Sequence, residues 1–207
     1  MASADELRTA LARAASLDDG PRRQLEVAAV IAEALRAVGQ EAVLVGGAAL
    51  EFYTEGGIST GDLDLLAEGG PPLRAVMADL GFSRLGKDFV HKGLRLYVEF
   101  PRRSPGPTER TVLVQVGPRS LRVISLEDLL VDRLYAFKFW RSARDGVGAM
   151  LLGELGDLDE DRLAARAAEE DVSDALAAVR EVLEEVTRRP LSPKQANALL
   201  ERRMRRL

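Results

Sequence analysis

The chain has 207 residues and a net charge of −4, and it contains no Cys and a single His, His91. These counts exclude a disulfide framework, a thiolate or multi-His metal site and a Cys nucleophile, so any metal chemistry must use carboxylate oxygens and a hard cation. Its apolar stretches fall well short of the ~20 residues of a membrane span. The N-terminal residues include Asp5 and Glu6 and no apolar run of the signal-peptide type. We therefore expect a cytoplasmic protein with no membrane partner.

The charge is unevenly distributed along the chain. From Arg188 to Leu207 there are seven basic residues and one acidic residue, a net charge of +6, so residues 1–187 carry −10. A basic segment of this kind can bind a nucleic acid or another anionic partner, but on an amphipathic helix it is more often a solvated face. The sequence leaves both interpretations open.

The first elements are predicted to be two helices followed by a strand. Apolar residues recur at helical spacing from Glu6 to Leu17 and from Arg22 to Val38. The β-branched run EAVLV then predicts a short strand, which ends at a glycine turn formed by Gly46 and Gly47. A short helix is predicted to follow this turn.

The middle of the chain is predicted to form further strands around one helix. GDLDLLA alternates polar and apolar residues and predicts a strand, and PPLRAVMADLGF predicts a helix that begins at proline. Strand patterns recur at Phe89 to Leu94, at Arg95 to Phe100 and in the pair TVLVQV and LRVIS. From Ser125 onward the pattern is helical.

These elements predict an α+β fold. We expect a small mixed sheet with flanking helices over residues 1–125, including the two N-terminal helices, and a helical region over residues 126–207 that packs on this core. Two helix starts are predicted in the second region: the acidic cluster Asp157 to Asp161 is expected to cap a helix, and Ser192 with Gln195 forms a capping-box pattern.

Two acids in the second strand are the main candidates for chemistry. Asp62 and Asp64 are two residues apart, so on a strand both side chains point to the same face. Their repulsion favours a cation, and Mg²⁺ between carboxylates and substrate phosphates is the usual solution. Glu99 lies on the polar side of another strand and is a candidate third ligand. Gly46 and Gly47 would let backbone N–H groups approach a phosphate at a helix start.

A glycine turn, a short helix and an acid-apolar-acid strand together resemble the DNA polymerase β-like nucleotidyltransferase superfamily, most closely its minimal bacterial members, which include abortive-infection and toxin–antitoxin toxins. The resemblance implies that Asp62, Asp64 and Glu99 hold two Mg²⁺ ions and that Gly46 and Gly47 hold nucleotide phosphates. It also implies phosphate contacts from basic residues on and after the helix at Ser125 to Leu134, and the candidates are Arg133, Lys138, Arg141 and Arg144.

The implied activity is Mg²⁺-dependent transfer of a nucleoside monophosphate from an NTP such as ATP to an acceptor hydroxyl. The implied acceptor is an RNA such as tRNA, or a protein, and the implied setting is a toxin with an antitoxin partner. Related toxins often carry Arg four positions before the first acid, where this chain has Ile58. This difference motivates an alternative, a nucleotide- or partner-binding protein whose catalysis has decayed. A drug-modifying nucleotidyltransferase is a third interpretation.

Overall fold

A computed structural model describes residues 2–58, 61–189 and 192–205 of the chain. The chain divides into two compact units, Met1–Ser125 (the first unit) and Leu126–Leu207 (the second unit). The first unit combines helices with one mixed sheet and the second is helical, so the predicted α+β class is confirmed. Within the described residues, every helix is too short or too polar to cross a lipid bilayer.

The described part of the first unit contains four helices and seven strands. The helices are α1 (Ala4–Ala15), α2 (Pro21–Arg36), α3 (Gly46–Tyr53) and α4 (Pro71–Asp79). The strands are β1 (Val43–Val45), β2 (Leu63–Leu66), β3 (Ser83–Leu85), β4 (Asp88–His91), β5 (Leu96–Glu99), β6 (Thr111–Val116) and β7 (Arg119–Ile124). The sequence pattern does not predict β3, because its three residues are all exposed and show no alternation.

The seven strands form one sheet in the order β3-β4-β5-β2-β1-β7-β6. The three central pairings join strands that are distant in the chain: β2 is antiparallel to β1 and parallel to β5, and β1 is parallel to β7. The outer strands are added as antiparallel hairpins. Leu44, Leu65, Val98 and Val123 on the central strands have no exposed surface, and α2 packs against β7 and α3.

The described part of the second unit contains five helices: α5 (Leu126–Trp140), α6 (Ala143–Gly153), α7 (Glu160–Glu169), α8 (Ser173–Arg188) and α9 (Pro193–Met204). Both predicted caps are confirmed. The Asp159 carboxylate accepts a hydrogen bond from the backbone N–H of Arg162 at the start of α7, and Ser192 and Gln195 form a reciprocal capping box at the start of α9. These contacts satisfy N–H groups that the first helical turn leaves without partners.

A buried ion cluster joins α5 and α7 within the second unit. The Asp128 side chain has no exposed surface and accepts a hydrogen bond from Nε of Arg166 at 2.8 Å, and it also pairs with Arg162. Burial alone would lower the pKa of Arg166, but the hydrogen bonds to Asp128, Glu169 and Glu170 raise it above its ordinary value. The charge of Asp128 is therefore fully compensated inside the unit.

Candidate active site

The three predicted acids lie on one face of the sheet. β2 and β5 are parallel, and their register pairs Leu63 with Val98 and Asp64 with Glu99. Asp62 lies at a bend directly before β2, and its charge acts on Tyr97, which alternation places on the same side of β5 as Glu99. Leu63 and Val98 point to the opposite side and are buried. Sheet pairing thus brings together acids that are 35 residues apart in the chain.

The glycine turn contacts the second acid of the pair. β1 is antiparallel to β2 with Val45 opposite Asp64, and α3 begins directly at Gly46. Gly46 has a φ of +63°, and a Cβ atom built on it would lie 2.3 Å from Oδ2 of Asp64. The backbone N–H of Gly47 donates a hydrogen bond to the same oxygen at 3.4 Å. A side chain at position 46 would therefore displace the Asp64 carboxylate.

Two of the three acids have no counter-charge in the part of the chain that the structure describes. Across residues 2–58, 61–189 and 192–205, the carboxylates of Asp62 and Glu99 make no hydrogen bond and no ion pair. Asp62 is exposed and Glu99 is half-buried. Carboxylates that share one face repel each other unless a cation or a proton neutralises them. Their oxygen donors suit a hard divalent cation such as Mg²⁺.

The described side chains do not yet surround an ion. In the part of the chain that the structure describes, no three His, Asp or Glu side chains lie close enough together to hold a metal ion. Adjacent strands are about 4.8 Å apart, so the backbones of Asp64 and Glu99 are already neighbours.

The sequence did not reveal a fourth acid and a tyrosine on this face. β4 is antiparallel to β5 with Phe89 opposite Val98, and one further step in this register places Asp88 opposite Glu99. The Tyr97 hydroxyl donates a hydrogen bond to Oδ2 of Asp88 at 2.8 Å. Asp88 is only 8% exposed, and its buried Oδ1 has no hydrogen-bond partner among the described residues.

Electrostatics connect this tyrosine to the predicted acids. The hydrogen bond to Asp88, followed by burial and by the charges of Asp88, Glu99 and Asp62, raises the pKa of Tyr97 to about 12. Tyr97 therefore remains a neutral hydrogen-bond donor to Asp88 at physiological pH. Alternation in β4 and β5 indicates which side of the sheet Asp88 and Tyr97 face. Only the register between the two strands places these residues next to each other.

A polar cavity of about 330 Å³ lies beside the acid pair. It is lined by Asp19, Gly20, Arg23, Gln24, Glu51, Gly61 and Arg95. Gly61 directly precedes Asp62, and Arg95 directly precedes β5. The Arg95 guanidinium makes no hydrogen bond or ion pair within the described ranges, and its backbone adopts a left-handed φ of +53°. Arg95 thus shares this cavity with Gly61, the residue before Asp62, whereas position 58 holds Ile.

The four basic residues predicted as phosphate contacts all belong to the second unit: Arg133, Lys138, Arg141 and Arg144. Arg133 on α5 donates from Nη1 to Oδ1 of Asp145 at 2.6 Å and also pairs with Asp132. Both partners are acids of the same unit. Arg133 is therefore neutralised locally, as expected of a structural ion pair.

Lys138 is neutralised in the same way. Its ammonium group lies 3.0 Å from Oδ1 of Asp174 and also contacts Asp171. Burial would lower the pKa of Lys138, but the hydrogen bond and charge of Asp174 and the charge of Asp171 outweigh this and raise it. Arg141 and Arg144 are exposed at the junction of α5 and α6. Phosphate binding by these four residues remains a prediction.

Comparison with known proteins supports the fold. No protein-family model matches the chain, and no curated protein matches it. Among solved structures, the chain is similar to the crystal structure of an antigenic nucleotidyltransferase-like protein from Paracoccidioides brasiliensis, with 15% sequence identity and a TM-score of 0.50. The similarity covers 96% of this chain and 94% of that chain. At this identity the likeness shows the fold alone, and that fold is nucleotidyltransferase-like.

Proposed function

We propose that the protein is a Mg²⁺-dependent nucleotidyltransferase. It transfers a nucleoside monophosphate from an NTP, such as ATP, to an acceptor hydroxyl and releases pyrophosphate. The observation that carries this proposal is the common face of Asp62, Asp64 and Glu99 beside the turn of Gly46 and Gly47. Two of those acids lack any counter-charge among the described residues, and the fold is of the corresponding class.

Each residue of the face has a distinct role in the proposed reaction. Asp62 and Asp64 would hold two Mg²⁺ ions and Glu99 one of them; when bound, the ions would neutralise phosphate charge and polarise the α-phosphate. The hydrogen bond from Gly47 fixes the orientation of Asp64. The acceptor oxygen forms a bond to the α-phosphorus as the bond to pyrophosphate breaks, and the acceptor proton passes to the Glu99 carboxylate.

The cavity beside Gly61 supplies space and charge for the nucleotide. Its volume of about 330 Å³ is within the range of small-molecule sites. The uncommitted guanidinium of Arg95 would bind phosphate oxygens, for which its planar donor geometry is suited. Arg95 thereby takes the role that related toxins give to an Arg at the position of Ile58.

Transfer of label from an NTP tests the proposal. The protein is incubated with Mg²⁺, each α-labelled NTP in turn, and one of several acceptors: RNA including tRNA, a protein lysate, or a panel of cationic drugs. We expect transfer to one acceptor class and loss of transfer in the Asp62→Asn/Asp64→Asn double variant. A matched control is Asp157→Asn/Asp159→Asn, because this second Asp-x-Asp pair includes a helix cap that Asn can also form.

Activity that survives in the Asp62→Asn/Asp64→Asn variant would contradict the proposal, and so would the absence of transfer to every acceptor. The biological setting has its own test. We propose a toxin with an antitoxin partner, so induced expression in bacteria should arrest growth, whereas expression of the double variant should not. Growth arrest by both proteins would contradict a toxin mechanism based on transfer.

A catalytically decayed nucleotide-binding protein is the second candidate function. It is favoured by Ile58 at the position of the missing Arg and by acids that do not close around an ion in the described residues. Calorimetry with ATP and Mg²⁺ distinguishes the candidates. Tight binding without turnover supports the binding protein, whereas turnover that depends on Asp62 and Asp64 supports the enzyme.

A further inference from the structure

A second cavity of the first unit lies at the carboxyl ends of β2 and β5 and has a volume of about 250 Å³. Its lining residues come from three parts of the chain: five lie between positions 67 and 74, three between 84 and 89, and four between 100 and 103. Five of its lining side chains are cationic, and none of the described lining residues is acidic. The cations are Arg74, Arg84, Lys87, Arg102 and Arg103.

This concentration of positive charge is unusual for the unit. Residues 1–125 contain 15 basic and 16 acidic residues, so a third of the basic residues line one small cavity. Like charges that converge in this way repel each other, and the repulsion destabilises the unit unless an anion is bound. The same cavity is lined by the rings of Phe89 and Phe100, which contact each other at 5.7 Å.

Three of these five cations have no side-chain partner among the described residues. Arg102 pairs with Glu109 at 2.9 Å, and Nε of Arg84 donates to the carbonyl of Gly86 at 2.7 Å. Three further side chains are exposed and make no hydrogen bond or ion pair in the ranges that the structure describes: Arg74, Lys87 and Arg103. These three charges are available to a ligand.

The N-terminal end of α4 adds to the positive electrostatic potential of the cavity. Its N-cap residue, Gly70, provides no side-chain cap, and Gly69 and Gly70 line the cavity. The next two residues, Pro71 and Pro72, have no backbone N–H groups to donate. The helix dipole therefore contributes an electrostatic field at this point, and the hydrogen bonds to an anion must come from the arginine and lysine side chains.

We propose that this basic cavity binds the phosphate backbone of a single-stranded RNA. The three uncommitted cations, with Arg84 and Arg102 beside them, exceed what one phosphate group needs, and they match a strand that carries one charge per nucleotide. The half-buried ring of Phe100 offers an apolar surface for a sugar or base, as in other single-strand sites. Cations with an adjacent aromatic ring favour a nucleic acid over a free polyphosphate.

The cavity adjoins the carboxyl end of β5, where Phe100 directly follows Glu99. Its aromatic rings lie on the side of the sheet opposite Glu99, because Phe89 pairs with Val98 and Phe100 is two residues beyond Val98. The role of this RNA as the acceptor depends on the proposed function, whereas RNA binding by the cavity does not.

RNA binding is measured by fluorescence anisotropy with a labelled single strand of about 12 nucleotides, within the site sizes of single-strand-binding folds. The protein carries Asp62→Asn/Asp64→Asn, so that catalysis does not consume the RNA. The test variant adds Arg74→Glu/Lys87→Glu/Arg103→Glu. The matched control adds Arg13→Glu/Arg22→Glu/Lys92→Glu, three exposed cations outside the cavity with the same change in charge.

We expect the test variant to bind RNA at least about tenfold more weakly than the control. The slope of log K against log salt should decrease by about 2, because each neutralised phosphate contributes about 0.7 for a single strand. The single variant Arg103→Ala, in an exposed loop, should weaken binding several-fold and provides the test if the triple variant does not fold.

Three results would overturn the inference: no RNA binding, equal loss in the test variant and the control, or binding of tripolyphosphate with no binding of RNA. The assay also separates this inference from the proposed function. Cavity-dependent RNA binding without any label transfer would retain the site and reject the enzyme. Transfer to RNA that is unchanged by the cavity substitutions would retain the enzyme and reject the site.

Discussion

The two units differ in how the charges of their acidic side chains are compensated. In the second unit, Asp128 is fully buried and is compensated by Arg162 and Arg166. In the first unit, Asp62 and Glu99 share a sheet face with Asp64 and have no ion-pair partner among the described residues. A buried charge with matched partners supports the fold, whereas partly exposed like charges gathered on one face cost stability and indicate a site that awaits a ligand.

The largest expected effect concerns activity rather than stability. The Asp62→Asn/Asp64→Asn variant should lose at least about a thousandfold in transfer rate, equivalent to about 4 kcal/mol of transition-state stabilisation. Its free energy of unfolding should stay the same or increase, because two repelling charges are removed and the new amide oxygen at position 64 can still accept the hydrogen bond of Gly47. Steady-state kinetics and urea unfolding measure the two quantities. A large loss of stability would contradict the contrast between Asp62 and Asp64, which are proposed to serve activity, and Asp128, which serves the fold.

Substitution of Asp128 should instead have its main effect on stability. Asp128→Ala leaves Arg162 and Arg166 without their buried partner, and we expect the free energy of unfolding of the second unit to decrease by about 3–5 kcal/mol. The control is Asp132→Ala, because Asp132 forms a more exposed pair with Arg133 and should cost about 1 kcal/mol or less. Urea unfolding measures both variants. Equal effects at the two positions would show that burial of Asp128 has no special importance.

Gly46 links backbone conformation to the acidic face. Gly46→Ala should lower the free energy of unfolding by about 2–4 kcal/mol, because the left-handed φ costs about 1 kcal/mol and the clash with Asp64 adds to it. Gly86→Ala is a close control: its φ of +64° is nearly the same as the +63° of Gly46, but nothing lies within 4 Å of the added Cβ. It should cost about 1 kcal/mol.

Activity gives a second measure of the same pair. Gly46→Ala should also reduce transfer, since it displaces the carboxylate of Asp64, whereas Gly86→Ala should retain it. Similar stability and activity for the two variants would show that the close approach of Gly46 to Asp64 has no consequence.

The smallest expected effect is a change in titration. The native state holds the Tyr97 proton more tightly than the unfolded chain, with a pKa of about 12 against 10.0. The stability from this proton is fully present below pH 10 and is lost as the pH rises from 10 to 12. In Asp88→Asn, the pKa of Tyr97 should fall towards its ordinary value, because the largest cause of the shift is removed.

The difference in phenolate absorbance between each protein and its Tyr97→Phe counterpart isolates this single titration. An unchanged Tyr97 titration in Asp88→Asn would mean that the hydrogen bond between these two residues does not govern it.

Local sequence signals predicted the features that depend on neighbouring residues. Alternation predicted the strand that contains Asp64, and capping patterns predicted the roles of Asp159 and Ser192. Features that depend on pairing between distant strands were harder to predict from the sequence. Glu99 was named only as a candidate, because the β2–β5 register that sets it beside Asp64 is not encoded within either strand.

The same limit explains what the sequence missed. Asp88 and Tyr97 reach the acidic face through the register of β4 and β5, and Arg95 lines the cavity beside Gly61 from a turn with left-handed backbone. From the sequence, Gly46 was predicted to take part in phosphate binding. The structure shows that the missing side chain of Gly46 also leaves room for the Asp64 carboxylate. Close approach between two segments is a property of tertiary packing, and a glycine in the sequence does not identify its neighbour.

Asp62, Asp64 and Glu99 are proposed to hold divalent cations. Electron paramagnetic resonance of Mn²⁺, in the presence of a non-hydrolysable NTP, counts the bound ions directly. We expect two ions per chain for the natural protein and for Asp157→Asn/Asp159→Asn, and none for Asp62→Asn/Asp64→Asn at the same concentrations. Equal Mn²⁺ binding by all three proteins would contradict this proposal.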